Sequence, residues 1–519
     1  MKLLDSRRLF GPNLVYPGPG AISEVEFEPG EDADAAVARW QASILAMIAG
    51  ASLRVRRFRG GAALFIAGEP DQILVLCDVN EAAIAGTGDR DALRAALDAA
   101  VEPALRALQA GARAHGVPIL IDDAQVSVGL GRRAQLFRRD ALPMHVDWER
   151  TGTIPVALVT GTNGKTTSAR LLARIAALAG HTVGLATTDG VEVGGALVAA
   201  GDYTGPDAAR LVLRDPRVDL AVLETARGGI LRRGLAVERC DVALLTNVSD
   251  DHLGHYGIDD VATMARVKRV VGSVADQVVV NAGEPLLGGW DREVTFSVGG
   301  PADWTVVDGA IARRGEKLIA TTEVPITFGG AARYNVANAL GAAAAADALG
   351  IPWDPIHRGL AGFGSDENPG RGDLWQVGPA RLLLDFGHNP EGVRALLELA
   401  RGLGAARLLV VLGLPGDRDD EVLRAIARDV ATARPARVFI HDLEGYLRGR
   451  EPGAVPALVA AELERSGIDR SLIERSPSEL SGVTGAIGSA RAGDLVLVFP
   501  HLERAAVTEL LAQRGARRG

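Results

Sequence analysis

The sequence predicts an α/β protein, and three observations predict it. From Thr153 onward, short apolar runs alternate with stretches of helical period, the pattern of a parallel sheet covered by helices. One of those runs, Ile154–Val159, passes through a glycine-containing turn, GTNGKTT, straight into a helix, as a P-loop-type sheet domain requires. The same alternation restarts near residue 380, which predicts a second, Rossmann-like α/β domain. Residues before about Trp148 lack the alternation, carry breaks such as GPNLVYPGPG, and predict an α+β domain. The expected domains are 1–148, 149–372 and 373–519, because 519 residues exceed what one core usually supports.

The elements follow in order. In the N-terminal part, Ala63–Ile66 and Gln72–Cys77 read as strands, and Asp34–Ala49 and Asp91–His115 as helices. After the first central strand a helix is expected from about Thr166 to Ala179, stopped by Gly180, and then a strand at Thr182–Ala186. Further strands read at Val218–Leu223, Asp241–Thr246 and Gln277–Val280, with a helix at Asp259–Val271. The alanine-rich segment Asn335–Gly350 is helical, and Gly362–Asp373 is turn-rich enough for a linker. C-terminal strands are expected at Arg381–Phe386, Arg407–Leu412, Arg437–His441 and Asp494–Phe499, with helices starting near Pro390, Asp419 and Pro456.

Composition narrows the function. With 47% hydrophobic and 23% charged residues the chain is not of the disordered class. A net charge of −9 argues against general affinity for nucleic acid or anionic membrane, which needs a basic surface. No apolar run reaches membrane-spanning length, and Asp5, Arg7 and Arg8 interrupt any signal peptide, so a cytoplasmic location is expected. Cys77 and Cys240 lie in apolar runs read as strands, which fits buried thiols better than a disulfide. Small molecules are the expected partners, and a homo-oligomer is compatible with the sequence.

Lysine usage points to the chemistry. Of 56 basic residues only Lys2, Lys165, Lys268 and Lys317 are lysine. Lys165 sits in the turn Gly161–Thr167, where Gly161, Thr162, Asn163, Gly164 and Thr167 shape a phosphate cradle. A compact ammonium fits there and a planar guanidinium does not, while the Thr166 hydroxyl suits Mg²⁺. The loop departs from the commonest pattern in placing Val159 where the first glycine stands. Glu224 follows an apolar strand, where open α/β sheets gather ligands, and its carboxylate suits a metal. His252 follows another strand by a short acidic turn, and Asn335 and Asn338 share one helix face.

The form GTNGKTT, with TTDGVEVGG, LETARGGILRRGL, TNVSDDHLGHYG, MARVKRVV, ARYNVANAL, NPGR, LLDFGHNPEG and GLPGDRDDE after it, resembles the Mur ligases, and in particular the Mur-ligase half of the cyanophycin synthetases. The resemblance implies an ATP-dependent ligase that activates a carboxylate as an acyl phosphate and passes it to an amine. It implies ATP and Mg²⁺, with Glu224 and His252 holding a second metal and Lys268 carbamylated into a further ligand. It also implies that Asn335 and Asn338 read adenine, that the linker residue Arg371 reaches the γ-phosphate on domain closure, and that Asp385 contacts ribose or locks closure. Tyr334 stands where most of the family has His, so no role passes to it.

Upstream, LFGPN (Leu9–Asn13) and HGVPILIDDAQVSVGLGRRAQLFRR (His115–Arg139) resemble the synthetases' N-terminal region, but the chain then runs within a few residues to the strand before the P-loop, without an ATP-grasp domain. Arginine or another amino acid, joined to an aspartyl-type carboxylate or peptide, is the implied chemistry. LRGREPG (Leu447–Gly453) favours an amine like arginine. A catalytically impaired ATP-binding partner of a complete synthetase, and a small-molecule kinase, remain open as alternatives.

Overall fold

The computed structural model describes residues 1–251, 253–387, 389–499 and 502–518. Two compact units make up the chain, one of Met1–Trp304 with Gly341–Ile356, the other of Thr305–Leu340 with His357–Gly519. Among the described residues no helix is long and apolar enough to cross a membrane.

The first unit begins with a four-stranded antiparallel sheet of β1 (Lys2–Leu9), β2 (Gly20–Glu26), β3 (Leu53–Phe58) and β4 (Gly61–Ala67) in the order β1-β2-β4-β3. Its helices are α1 (Ala33–Met47), α2 (Ile73–Ala85), α3 (Arg90–Ala99) and α4 (Pro103–Ala114). Gln72–Cys77 is therefore not a strand. The element continues to Ala85, longer than most strands, and buries Ile73, Leu76, Asn80 and Ala83 at helical spacing. Asn80 completes the helix's seat by accepting from Trp40 Nε1 at 2.7 Å and donating to the Leu64 carbonyl at 3.0 Å. The helix expected over 91–115 is two helices, since Pro103 forces Glu102 into extended backbone at φ −102°, ψ 94°. A small sheet of β5 (Ile119–Ile121), β6 (Gln125–Val128) and β7 (Gln135–Arg138) follows.

The central sheet of this unit is built on β8 (Val156–Thr160), all five residues of which are buried, as expected of a parallel strand covered on both faces. After α5 (Lys165–Leu178) come β9 (Val183–Thr187), the hairpin of β10 (Gly190–Val193) and β11 (Ala196–Ala200), α6 (Pro206–Arg214), β12 (Leu220–Glu224), α7 (Arg227–Arg233), β13 (Cys240–Leu245), α8 (Val261–Ser273), β14 (Ala275–Asn281) and β15 (Glu293–Ser297). They lie in the order β11-β10-β9-β12-β8-β13-β14-β15, with β9, β12, β8, β13, β14 and β15 parallel. β8 thus has later strands on both sides, a topological switch point, and its carboxyl end is where such a sheet binds ligands.

The N-terminal part and the central sheet share this unit, and main-chain bonds join them. Phe10 N–H donates to Arg233 O at 2.7 Å and Leu235 N–H to Pro12 O at 2.8 Å. A Cβ on Gly11 would overlap the Leu235 carbonyl, which gives LFGPN a physical reason: the chain passes too close for a side chain. Arg132 N–H also donates to Val218 O at 2.8 Å.

In the second unit, after β16 (Trp304–Val307), β17 (Ala310–Arg313) and β18 (Glu316–Ala320) pair antiparallel, and α9 (Arg333–Ala348) begins there. α10 (Trp353–Gly362) leads to a sheet of β19 (Arg371–Val377), β20 (Ala380–Asp385), β21 (Leu408–Gly413), β22 (Arg437–His441), β23 (Ile473–Arg475), β24 (Leu495–Val498) and β25 (Arg517–Arg518) in the order β23-β22-β21-β24-β20-β19-β25. Its helices are α11 (Pro390–Gly402), α12 (Asp420–Thr432), α13 (Ala454–Arg465), α14 (Glu479–Ser489) and α15 (Arg504–Gln513). The expected linker therefore ends early, because Arg371–Asp373 already pair with β20. β20 to β24 are parallel, as expected of a Rossmann-like domain.

Candidate active site

The P-loop is set by close approach and by one asparagine. A Cβ on Gly161 would overlap the Thr246 hydroxyl, so only glycine fits, and Gly164 takes φ +80° as the N-cap of α5. Asn247, just past β13, accepts from Asn163 N–H at 2.8 Å and Thr162 N–H at 3.2 Å, and its Nδ2 donates to the Asn163 carbonyl at 3.1 Å. The Thr246 hydroxyl donates to the same carbonyl at 2.7 Å. Sequence reasoning missed Asn247; its place two residues past the strand beside β8 was the available signal. The first helical bond of α5 runs from Ser168 N–H to Gly164 O, so the Lys165 and Thr166 N–H groups precede the ladder at the positive end of the helix. Lys165 Nζ lies against the Thr162 carbonyl at 2.9 Å, holding its charge over the loop.

Glu224 is the last residue of β12, opposite Val159 in the register, and 2% exposed. It accepts from the Thr166 hydroxyl at 2.9 Å, the Thr188 hydroxyl at 3.0 Å and Thr188 N–H at 3.2 Å. A buried carboxylate and a hydroxyl at the first turn of α5 are hard oxygen donors of the kind Mg²⁺ takes, so these residues fit that ion. His252 lies outside the described residues, as does His388. Its neighbour Asp251 is buried.

Lys268, on α8, is 3% exposed. Burial, joined by the nearby charges of Lys165 and Arg227, holds its ammonium well below the usual lysine range, against an opposing pull from Asp251. The structure thus brings Lys268 into the electrostatic reach of the P-loop lysine, and favours its uncharged amine.

The acidic loop carrying Asp251 is gripped from the N-terminal sheet. Arg56 donates to Gly257 O at 2.8 Å and Tyr256 O at 2.7 Å, and Arg59 N–H donates to Asp259 at 2.9 Å. The Arg7 guanidinium lies 4.8 Å from the Tyr256 ring centre.

In the second unit Asn335 and Asn338 are buried, and the Asn338 amide donates to Asn335 Oδ1 at 3.0 Å. Asn335 Nδ2 donates to the Ile326 carbonyl at 2.9 Å, so part of its capacity holds a local turn. Arg371 opens β19 opposite Asp385, the last residue of β20, and its guanidinium stacks 4.5 Å from the Phe386 ring centre. The Tyr334 hydroxyl donates to Asp385 at 3.2 Å, a contact the sequence did not suggest. Asn389 caps α11 through Gly392 N–H at 2.8 Å, a structural role. Arg450 joins two motifs, donating to Gly416 O at 2.8 Å, Arg418 O at 2.6 Å and Asp420 at 2.8 Å.

Comparison with known proteins agrees with this geometry. The profile of the Mur ligase middle domain matches residues 159–346, and that of the Mur ligase glutamate ligase domain matches residues 370–502. Cyanophycin synthetase of Crocosphaera subtropica is 36% identical over 385 residues, covering 68% of this chain and 43% of that protein. UDP-N-acetylmuramoyl-L-alanyl-D-glutamate–2,6-diaminopimelate ligase of Corynebacterium glutamicum is 32% identical over 324 residues, covering 58% of this chain and 61% of that protein. The chain thus spans less than half the length of the cyanophycin synthetases it matches. Among solved structures, E. coli FolC in complex with ADP superposes with a TM-score of 0.52 at 21% identity, covering 70% of this chain and 90% of that one, a likeness of fold.

Proposed function

The chain belongs to the Mur ligase family of ATP-dependent amide ligases, and from that premise we propose that it joins a carboxylate to an amine through an acyl phosphate. The observation that supports this most is the buried Glu224 joined to Thr166 at the start of α5, with Lys268 close enough to feel Lys165. Binding a nucleotide needs only the loop and the asparagine helix; a lysine buried within reach of another lysine's charge costs stability that binding does not explain.

A carboxylate resists amines because oxide is a poor leaving group. Transfer of the γ-phosphoryl of ATP to a carboxylate oxygen releases ADP and gives an acyl phosphate. The amine nitrogen then bonds to the acyl carbon, the carbon–oxygen bond to phosphate breaks, and nitrogen loses a proton. Lys165 and the N–H groups at the start of α5 stabilise negative charge on the transferring group. Mg²⁺ would supply further charge neutralisation, one ion held at Thr166 and a second at Glu224, His252 and a carbamylated Lys268. Uncharged Lys268 is the form that can take up CO₂ as a carbamate. Asn335 and Asn338 are assigned to adenine, Arg371 to the γ-phosphate and Asp385 to ribose.

The relatives named cyanophycin synthetases support aspartyl carboxylates and arginine as the first substrates to try, in a cytoplasmic setting. The test offers the purified chain ATP, Mg²⁺, aspartyl peptides and a panel of amino acids. Amine-dependent phosphate release, with an amide product seen by mass spectrometry, is expected. Phosphate release without amine dependence, or a stable phosphorylated product, overturns the reading. Lys268→Arg is expected to lose turnover and Lys268→Ala to regain part of it with added short carboxylates; full turnover in Lys268→Arg removes the carbamate role.

A further inference from the structure

A cleft of about 500 Å³ opens within the first unit, between the turn after β1, the segment after β4, the second half of α4 with β5, and the stretch after α7. Its size suits a small metabolite. None of its residues belongs to the P-loop, the end of β12 or the acidic loop.

Two polar side chains from different elements line it and are left with unmet bonding capacity. Arg210 on α6 is 5% exposed; it donates to Asp207 at 2.9 Å, yet among the described residues its buried Nε meets no acceptor. Asp207 is itself 83% exposed, so that pair is a weak compensation for a buried guanidinium. Gln109 on α4 is 6% exposed; it donates to Glu69 at 3.4 Å, while among the described residues its buried Oε1 meets no donor. Buried polar atoms are nearly always satisfied, and two unmet atoms on one cleft call for a ligand.

Its chemistry follows from the two atoms. A guanidinium Nε beside an Nη edge matches the fork of a carboxylate, and an amide oxygen needs an N–H donor. Glu69 at the cleft, 3.6 Å from Arg113, adds a half-exposed carboxylate suited to an ammonium. Glu69 and Glu238 balance Arg113 and Arg210, so the lining lacks the net positive charge a polyphosphate needs and suits a zwitterion. We propose that this cleft is a second binding site, separate from the nucleotide site, for a zwitterion of the α-amino acid class, held by Arg210 at its carboxylate and by Gln109 at its nitrogen.

Titration calorimetry on the full chain tests this. The probes are L-aspartate, L-glutamate and L-arginine, each free and as the C-terminal residue of a glycyl dipeptide, so the arms separate a free amino acid from a peptide terminus. At least one probe is expected to bind to wild type and to Lys165→Met alike, with affinity at least tenfold weaker in both Arg210→Met and Gln109→Leu. ATP binding is expected to be unchanged in those two variants. Gln109→Leu decides the matter if Arg210→Met does not fold. No binding of any probe up to about 10 mM, or binding unaltered by Gln109→Leu, overturns the proposal.

Discussion

The Thr166 hydroxyl donates to the Glu224 carboxylate across 2.9 Å, joining the first turn of α5 to the end of a strand 58 residues away. That single bond ties the phosphate loop to the carboxylate assigned to the metal, and it suggests how to separate the two roles. Thr166→Val is expected to lower kcat on the order of a hundredfold, whereas Thr166→Ser keeps most activity. Phosphate-release kinetics with both variants check this; equal losses in the two would show that the hydroxyl is not what matters.

Gly161→Ala places a methyl on the Thr246 hydroxyl, so nucleotide affinity is expected to collapse. Thr246→Ala alone loses the bond to the Asn163 carbonyl and weakens binding moderately. Combined, the substitutions make room for each other, and a double-mutant cycle on ATP affinity is expected to give a favourable coupling of about 1 kcal/mol or more.

Arg56 reaches from β3 to hold the Tyr256 and Gly257 carbonyls of the acidic loop. Arg56→Met is expected to speed hydrogen exchange in residues 253–259 and to lower kcat about tenfold while the KM for ATP stays within about twofold. A changed ATP KM with unchanged exchange would place the effect elsewhere.

Burial pushes the Cys77 thiol from 9.0 up to about 11, so the folded protein keeps that proton longer than the unfolded chain does. A raised folded value gives stability that is complete below the unfolded value and is lost as pH rises through the folded one. Urea stability is therefore expected to fall between about pH 9 and 11, and Cys77→Val to flatten that fall. Cys240 and Tyr334, also raised by burial, add to the fall in the cysteine variant, while Lys268, held low by burial, opposes it. At pH 8 both thiols are expected to resist alkylation until the protein unfolds.

Periodicity and glycine placement made much of the fold legible. β8, β13, β22 and the start of α11 lie within a residue or two of where alternation and Pro390 put them. Cys77 was misassigned because the short continuous apolar run Ile73–Cys77 fits a strand and a helix alike, and the packing of Asn80 against Trp40 and Leu64 distinguishes them. Asn247, and the bond made by Tyr334, escaped notice because the partners, Asn163 and Asp385, are 84 and 51 residues away.

The sequence alone determined the elements whose cause is local: the glycine turn, the helix starts, the strand runs, and a lysine where arginine is the rule. The tertiary structure alone decided that Glu224 is buried under two threonines, that Lys268 is stripped of water near Lys165, and that LFGPN seats against Leu235. Local propensity acts through neighbours a few residues apart and is written in their order. Burial, and the charge state it selects, depends on which distant segments exclude water together.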